Sequence, residues 1–162
     1  MMLAELELPG GPFAIRKAVA SDVGPILGLL ADDRLRAGVD SAAAEDRGPY
    51  DRAFEGIDAD PAQLLIAVVA ADDEVVATMQ LTFIPGLARG GATRLQIEAV
   101  RVRADLRSNG LGGAMIEWAV AEGRRRGAKL VQLTSDQSRI AAHRFYARLG
   151  FEASHLGFKL VL

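Results

Sequence analysis

The sequence predicts a mixed α/β (α+β) fold, a central sheet flanked by helices, and three observations carry that expectation. Apolar, β-branched runs at 64–70, 75–84 and 94–103 read as strands. Segments 110–126 and 138–149 place apolar residues at helical spacing and end on glycine. The two kinds of segment alternate without internal repeat, low-complexity tract or linker. The 162 residues therefore read as one domain spanning 1–162, long enough to bury a core.

Each element follows from its local chemistry. Residues 1–12 are expected to form a flexible or loosely attached terminus, closed by Pro9-Gly10-Gly11-Pro12. A short strand is expected at 13–16. Ser21-Asp22 offers an N-cap to a helix carrying Val23, Ile26, Leu27 and Leu30 on one side. The Asp-, Gly- and Ala-rich stretch 31–61 has weak periodicity and reads mostly as loop, with a short helix at 50–57. The runs 64–70 and 75–84 form a hairpin turning at Asp72-Asp73. A loop at 85–91 leads to the strand 94–103, where Val100 and Val102 share one face and Arg101 and Arg103 the other. In the helix 110–126, Leu111, Met115, Trp118 and Ala119 line one side, and Arg124–Arg126 suit the negative end of its dipole. A strand at 130–134, the helix 138–149 and a final strand pair within 151–162 complete the prediction.

Composition narrows the function. Half of the residues are hydrophobic and a quarter charged, which excludes a wholly disordered chain. The absence of cysteine excludes disulfides, thiol nucleophiles and thiolate metal sites. Two histidines, His143 and His155, without patterned carboxylates, make no metal site, so no metal is expected. A net charge of -2 argues against nucleic acid as a partner. Arg124–Arg126 read as a helix end rather than a DNA-reading surface. The longest apolar run, 64–71, is too short to span a bilayer, and acidic Glu5 and Glu7 do not fit a signal peptide. A cytoplasmic protein with no membrane partner is expected. Charge is unevenly spread: 31–60 carries nine acids against four arginines, and 101–129 seven bases against three acids.

The stretch Val100-Arg101-Val102-Arg103-Ala104-Asp105-Leu106-Arg107-Ser108-Asn109-Gly110-Leu111-Gly112-Gly113 carries the chemistry. A strand ends, a polar loop follows, and a helix opens on closely spaced glycines. Such a helix start exposes backbone N–H groups where the dipole favours an anion, and glycine lets a phosphate approach closely. Arg107 stands where its guanidinium could pair with the same anion. The Walker loop is absent, because no Gly-Lys pair exists in the chain. The dinucleotide fingerprint fails too, because Met115 occupies its third glycine position.

Arg107-Ser108-Asn109-Gly110-Leu111-Gly112 resembles the R/Q-x-x-G-x-G/A signature of the GCN5-related N-acetyltransferases (GNAT). Ala142-His143-Arg144-Phe145-Tyr146-Ala147-Arg148-Leu149-Gly150-Phe151 resembles that family's A-x-x-F-Y-x-x-x-G-F block. Two blocks in order, joined by a helix and strand of suitable length, are specific. The resemblance is strong over 94–151 and weak over 31–61. It implies the GNAT fold: a mixed, mostly antiparallel sheet with a V-shaped splay between the family's strands 4 and 5, and acetyl-CoA as cosubstrate lying in the V.

The resemblance also implies roles. Backbone groups of Val100, Arg101 and Val102 would bond the pantetheine arm, and N–H groups of Arg107, Ser108, Asn109, Gly110, Leu111, Gly112 and Gly113 would cradle the pyrophosphate. A strand N–H would face the thioester carbonyl as an oxyanion-hole donor. Tyr146 matches the family tyrosine near the CoA sulfur and is the candidate general acid, against a structural use of its hydroxyl. Glu98, in an I-E-x-x-x-V-like strand, is the candidate base; an exposed carboxylate paired with a neighbouring arginine is the equal alternative. His143 reads as a surface helix residue, and His155 has no motif support. Arg139 departs from the family: many relatives carry an asparagine there that contacts pantetheine, whereas arginine could reach phosphate or solvent.

The expected function is acetyl transfer from acetyl-CoA to a primary amine of a small molecule by direct attack. The acidic stretch 31–60, where the family usually builds its acceptor site, favours a cationic acceptor. A peptide or protein amine, and a non-catalytic acyl-CoA sensor, are the competing readings. A homodimer is expected because it is common among relatives.

Overall fold

The computed structural model describes every residue except Arg34 and Arg36, so those two members of the charged stretch lie outside the described residues. Six strands form one sheet in the order β1 (Met2–Leu8), β2 (Gly11–Lys17), β3 (Gln63–Val69), β4 (Val75–Ile84), β5 (Arg94–Val102) and β6 (Leu130–Leu133). Neighbours through β5 are antiparallel, and β5–β6 is parallel. The helices are α1 (Val23–Ala31), α2 (Arg47–Ala59), the single turn α3 (Ala88–Gly91), α4 (Leu111–Arg125) and α5 (Ile140–Arg148).

Two apolar layers lie on opposite faces of the sheet. Ile15, Ile66, Val68, Met79, Leu81, Leu95 and Ile97 pack beneath Leu111, Met115, Ile116 and Ala119 of α4. Ala67, Val69 and Val75 pack with Ile26 of α1, flanked by Leu30 of the same helix and by Phe54 of α2. Strand β3 is covered on both faces, which is why its sequence is a continuous apolar run instead of an alternation. Thr78 is buried in that sandwich, and its hydroxyl donates to the Ile66 carbonyl at 2.8 Å. Gly123 brings α4 down on β5: a Cβ there would stand 3.0 Å from Leu95 Cδ2.

Several expectations need correction. The terminus 1–12 is not loose, because Met2–Leu8 pairs with β2 as a hairpin that puts Leu3, Leu6 and Leu8 against the core. Residues 151–162 form no strand pair; beyond Phe151 the chain is exposed and irregular. The helix of the acidic stretch runs further than 50–57, as α2, and the loop 85–91 contains α3, with left-handed Arg89 and Gly90. Asp22 does not cap α1. It accepts the Val19 N–H at 2.8 Å and both terminal nitrogens of Arg16 at 2.6 and 2.8 Å, tying the end of β2 to the start of α1. Among the described residues, no helix is long and apolar enough to cross a membrane.

Candidate active site

The site begins where the sheet comes apart. Pairing of β5 with β6 extends only from Arg94↔Leu130 to Ile97↔Leu133, whereas β5 continues to Val102. On its other edge β5 carries a bulge: Glu98 faces Gln80 and Arg101 faces Thr78, so Ala99 and Val100 share Met79. Ala99 takes φ 52°, a conformation costly for alanine. A bulge bends its strand and sharpens the twist. Here it coincides with the point where β5 leaves β6, and the V-shaped splay opens between them.

After β5 the chain turns through Ser108 (φ 66°) and Gly110 (φ 86°) into α4. The first intrahelical bond is Ala114 N–H to the Gly110 carbonyl, 3.0 Å. The N–H groups of Leu111, Gly112 and Gly113 therefore project from the helix start without a protein acceptor among the described residues. Cβ atoms added to Gly110 or Gly113 would meet nothing within 4 Å, and one on Gly112 would reach Phe145 and Val102 at 3.6 and 3.8 Å. The result is an open cradle of donors at a positive helix end, which fits a diphosphate. The Arg107 N–H is not part of it, being directed to the Ala104 carbonyl at 3.4 Å. The Arg107 side chain turns back, Nε to the Val102 carbonyl at 2.9 Å and Nη2 to Asp32 at 3.1 Å. Ser108 and Asn109 are exposed at the rim.

Arg101 donates from Nη1 to the Val100 carbonyl at 2.8 Å and from Nη2 to Asp33 at 2.7 Å. Arg139, preceding α5, donates from Nη2 to the same carboxylate, at 2.6 Å to Oδ1. Asp33 thus joins the end of α1 to β5 and to the start of α5. Burial pushes its carboxyl pKa up, but the Arg139 and Leu35 N–H hydrogen bonds and the two guanidinium charges outweigh that and hold it below the ordinary aspartate value. Sequence reading missed Asp33. Its only signal was the acidic excess of 31–60, which cannot reveal partners 68 and 106 residues away.

Tyr146 lies on α5 with Phe145 and Phe151 edge-on at 5.1 and 5.9 Å. Burial raises its phenol pKa, and the charges of Arg101 and Arg139 oppose the rise without cancelling it. The phenol stays protonated at neutral pH. The G-F end of the motif is a left-handed helix stop: Gly150 has φ 88°, and the Phe151 N–H returns to the Tyr146 carbonyl at 3.1 Å. Glu98 is exposed on β5 and has no ion pair among the described residues, its arginine neighbours being engaged elsewhere. His143 donates Nε2–H to the Asp136 carbonyl at 2.8 Å, a bond that braces α5 on its preceding loop. Among the described residues no cluster of His, Cys, Asp and Glu could hold a metal.

Comparison with known proteins bears on the family and the fold. The sequence model of the Acetyltransferase (GNAT) family matches residues 31–151. The aminoalkylphosphonate N-acetyltransferase of Salmonella typhimurium is 36% identical over 67 residues, which are 41% of this chain and 44% of that protein's length. A transcriptional regulator from Bacillus halodurans C-125 superposes with TM-score 0.89 at 37% identity, covering 93% of this chain and 99% of that one. A predicted acetyltransferase with acetyl-CoA from Clostridium acetobutylicum gives TM-score 0.71 at 18% identity, covering 92% and 96% of the two chains.

Proposed function

The chain belongs to the acetyltransferase (GNAT) family, and from that premise we propose that it is an acyltransferase moving acetyl from acetyl-CoA to a primary amine of a small molecule, by direct attack in a ternary complex. The observation that carries this reading is the open N–H cradle at the start of α4, set beside the gap where β5 leaves β6. Acetyl-CoA, when bound, supplies an activated acetyl thioester. Donors from Ser108 to Gly113 hold its diphosphate, with Arg107 as the charged partner once it leaves Asp32. The unpaired edge of β5 from Glu98 to Val102 orients the pantetheine arm. The bulged backbone there supplies the N–H that meets the charge developing on the carbonyl oxygen. Glu98 accepts the proton of the incoming ammonium, directly or through water, and the half-buried, protonated Tyr146 gives one to the departing sulfur.

A cationic acceptor was expected from the acidic stretch 31–60. In the folded chain Asp32, Asp33, Asp51 and Asp58 of that stretch are ion-paired to Arg107, Arg101 with Arg139, Arg47 and Lys17. Asp33 is thus held by two arginines, whereas Asp32 is freed once Arg107 turns to the diphosphate, so charge count alone does not decide the acceptor class. A peptide or protein acceptor, and an acyl-CoA sensor without turnover, are the competing readings; the likeness to a transcriptional regulator at 37% identity favours keeping the sensor in view. Thiol release from acetyl-CoA across a panel of amines and peptides separates them. Turnover of small amines supports the proposal, turnover of peptides alone replaces it, and CoA binding without turnover supports the sensor. A cytoplasmic location and a homodimer are carried as further proposals, tested by fractionation and by light scattering.

A further inference from the structure

Segment 151–162, which reads as strand in the sequence, finds no strand partner in the fold. Its alternation is that of a half-buried strand: Leu156, Phe158, Leu160 and Leu162 fall on one side, Gly157, Lys159 and Val161 on the other. Yet Leu156 is 75% exposed, Phe158 91% and Leu160 86%. Four apolar side chains in one stripe make a contiguous patch, not the scattered exposure common on protein surfaces. The backbone is unpaired too. The Ser154 N–H reaches the Glu152 carbonyl at 3.0 Å, and beyond it no amide of the segment donates to a protein acceptor among the described residues. A complementary gap stands next to it. β6 is the last strand of the sheet, paired with β5 along one edge and with no strand along the other among the described residues. All of its residues, Leu130, Val131, Gln132 and Leu133, are only partly buried. The segment approaches the end of β6 at Gly157, where a Cβ would stand 3.8 Å from Thr134 Cγ2, and from Phe158 onward it is exposed.

We propose that segment 155–162 is an exchanged strand: it adds to the open edge of β6 in a second copy of this chain, which returns its own segment in the same way. This gives the homodimer carried above a structural means, and it stands apart from the acetyltransferase reading. Three features select a second copy as the occupant. Each chain carries both the donor strand and the open β6 edge, so a twofold exchange satisfies both copies and closes the assembly. Two stripes of four apolar side chains, at about 100 Å² each, together with the surfaces they cover, reach roughly the 1,600 Å² of a standard interface. Finally, the segment meets its own β6 only at Thr134, so its exposed residues are presented outward, where the N–H and C=O groups of another copy's β6 edge can pair with them. β6 is also one wall of the V, so the partner's strand completes that wall of the cleft.

The test co-refolds heavy-isotope-labelled and unlabelled chains and treats the mixture with a short amine-reactive cross-linker. Lys159 of one isotope should be joined to Lys129, the residue before β6, of the other. Light scattering of the wild type should give twice the mass of one chain. In the double variant Phe158→Glu/Leu160→Glu, first checked for cooperative melting, the dissociation constant should rise by about a hundredfold or more, because charges would be buried in the exchanged strand. The mixed-isotope link should vanish with it, and amide exchange should quicken over 155–162 and 130–133 together. A dimer that persists in the variant overturns the inference. So does a link confined to chains of one isotope, which would mean that the segment folds back on its own β6. A wild type that stays monomeric overturns it as well, and flotation with phosphatidylglycerol vesicles then shows whether the stripe is a lipid contact instead. The cross-link on the wild type needs no variant, so a misfolded variant leaves the inference open to refutation. None of these readouts uses turnover, so the inference and the acetyltransferase reading fail separately.

Discussion

Removing the Tyr146 hydroxyl separates catalysis from packing, because phenylalanine keeps the ring against Phe145 and Phe151. Tyr146→Phe should lower kcat by roughly a hundredfold, the usual worth of a positioned acid, with the KM for acetyl-CoA little changed. A fully active variant would return Tyr146 to a structural role. Arg107→Ala addresses the other half of the site. It should raise the KM for acetyl-CoA by about tenfold through loss of a charge-assisted phosphate contact. Its present bonds, to the Val102 carbonyl and exposed Asp32, are at the surface, so stability should change by less than about 1 kcal/mol. An unaltered KM would take Arg107 out of the cofactor site. Both candidates come from sequence motifs, since a helix opening on glycines and a helix-end aromatic are local patterns. Asp33 and the redirection of Arg139 were not, since an ion pair across 106 positions leaves no local trace.

At the level of elements, α4 depends on two glycines, one before its first turn and one inside its last, for different reasons. Gly110 has φ 86° before the first turn, so Gly110→Ala should cost about 1–2 kcal/mol and weaken acetyl-CoA binding together. Gly123 lies against the fully buried Leu95, with only 3.0 Å between Leu95 Cδ2 and a would-be Cβ. Gly123→Val should lower stability in urea by about 2 kcal/mol through overpacking, and an unchanged midpoint would mean that α4 can slide on the sheet. The helix 110–126 was legible from its periodicity and flanking glycines. The hairpin of β3 and β4 was equally plain, its turn closed by Ala70 N–H to Glu74 and Asp73 N–H to Ala70. Strand β1 was not, because a strand bounded by Pro-Gly-Gly-Pro and half covered by the core shows an apolar alternation too short to stand out.

Across the whole molecule, acid sensitivity follows from three buried carboxylates. Burial raises the Asp22 and Asp33 pKa values, but arginine pairing and N–H bonds outweigh it. Glu122 is lowered by its Arg125 bond first and by Arg126 as well. All three end below their ordinary values. The folded state therefore binds fewer protons than the unfolded chain, and these groups contribute stability that is present above the unfolded carboxylate pKa of about 4 and is lost as pH falls through the folded values. Urea midpoints should be flat in this respect from about pH 5 to 8 and drop steeply below about pH 4. Asp22→Asn should remove about 3 kcal/mol at pH 7 by stranding Arg16, and should lessen the acid drop. A profile with the same acid limb in that variant would show that the Asp22 pair contributes nothing to it.

The amino-acid order alone determined the class of the fold, the positions of most strands and helices, and the helix start with open N–H groups at Gly110, because periodicity, turn chemistry and a helix opening on glycine act over a few residues. Only the folded chain decided where the sheet splits, that the bulge of Ala99 and Val100 opposite Met79 stands at that split, and that the acidic stretch spends its cleft-side carboxylates on Arg107, Arg101 and Arg139. Strand register and ion pairing at long range depend on which surfaces packing brings together. The charge to be met by an acceptor is thus a property of the assembled cleft, not of any one segment.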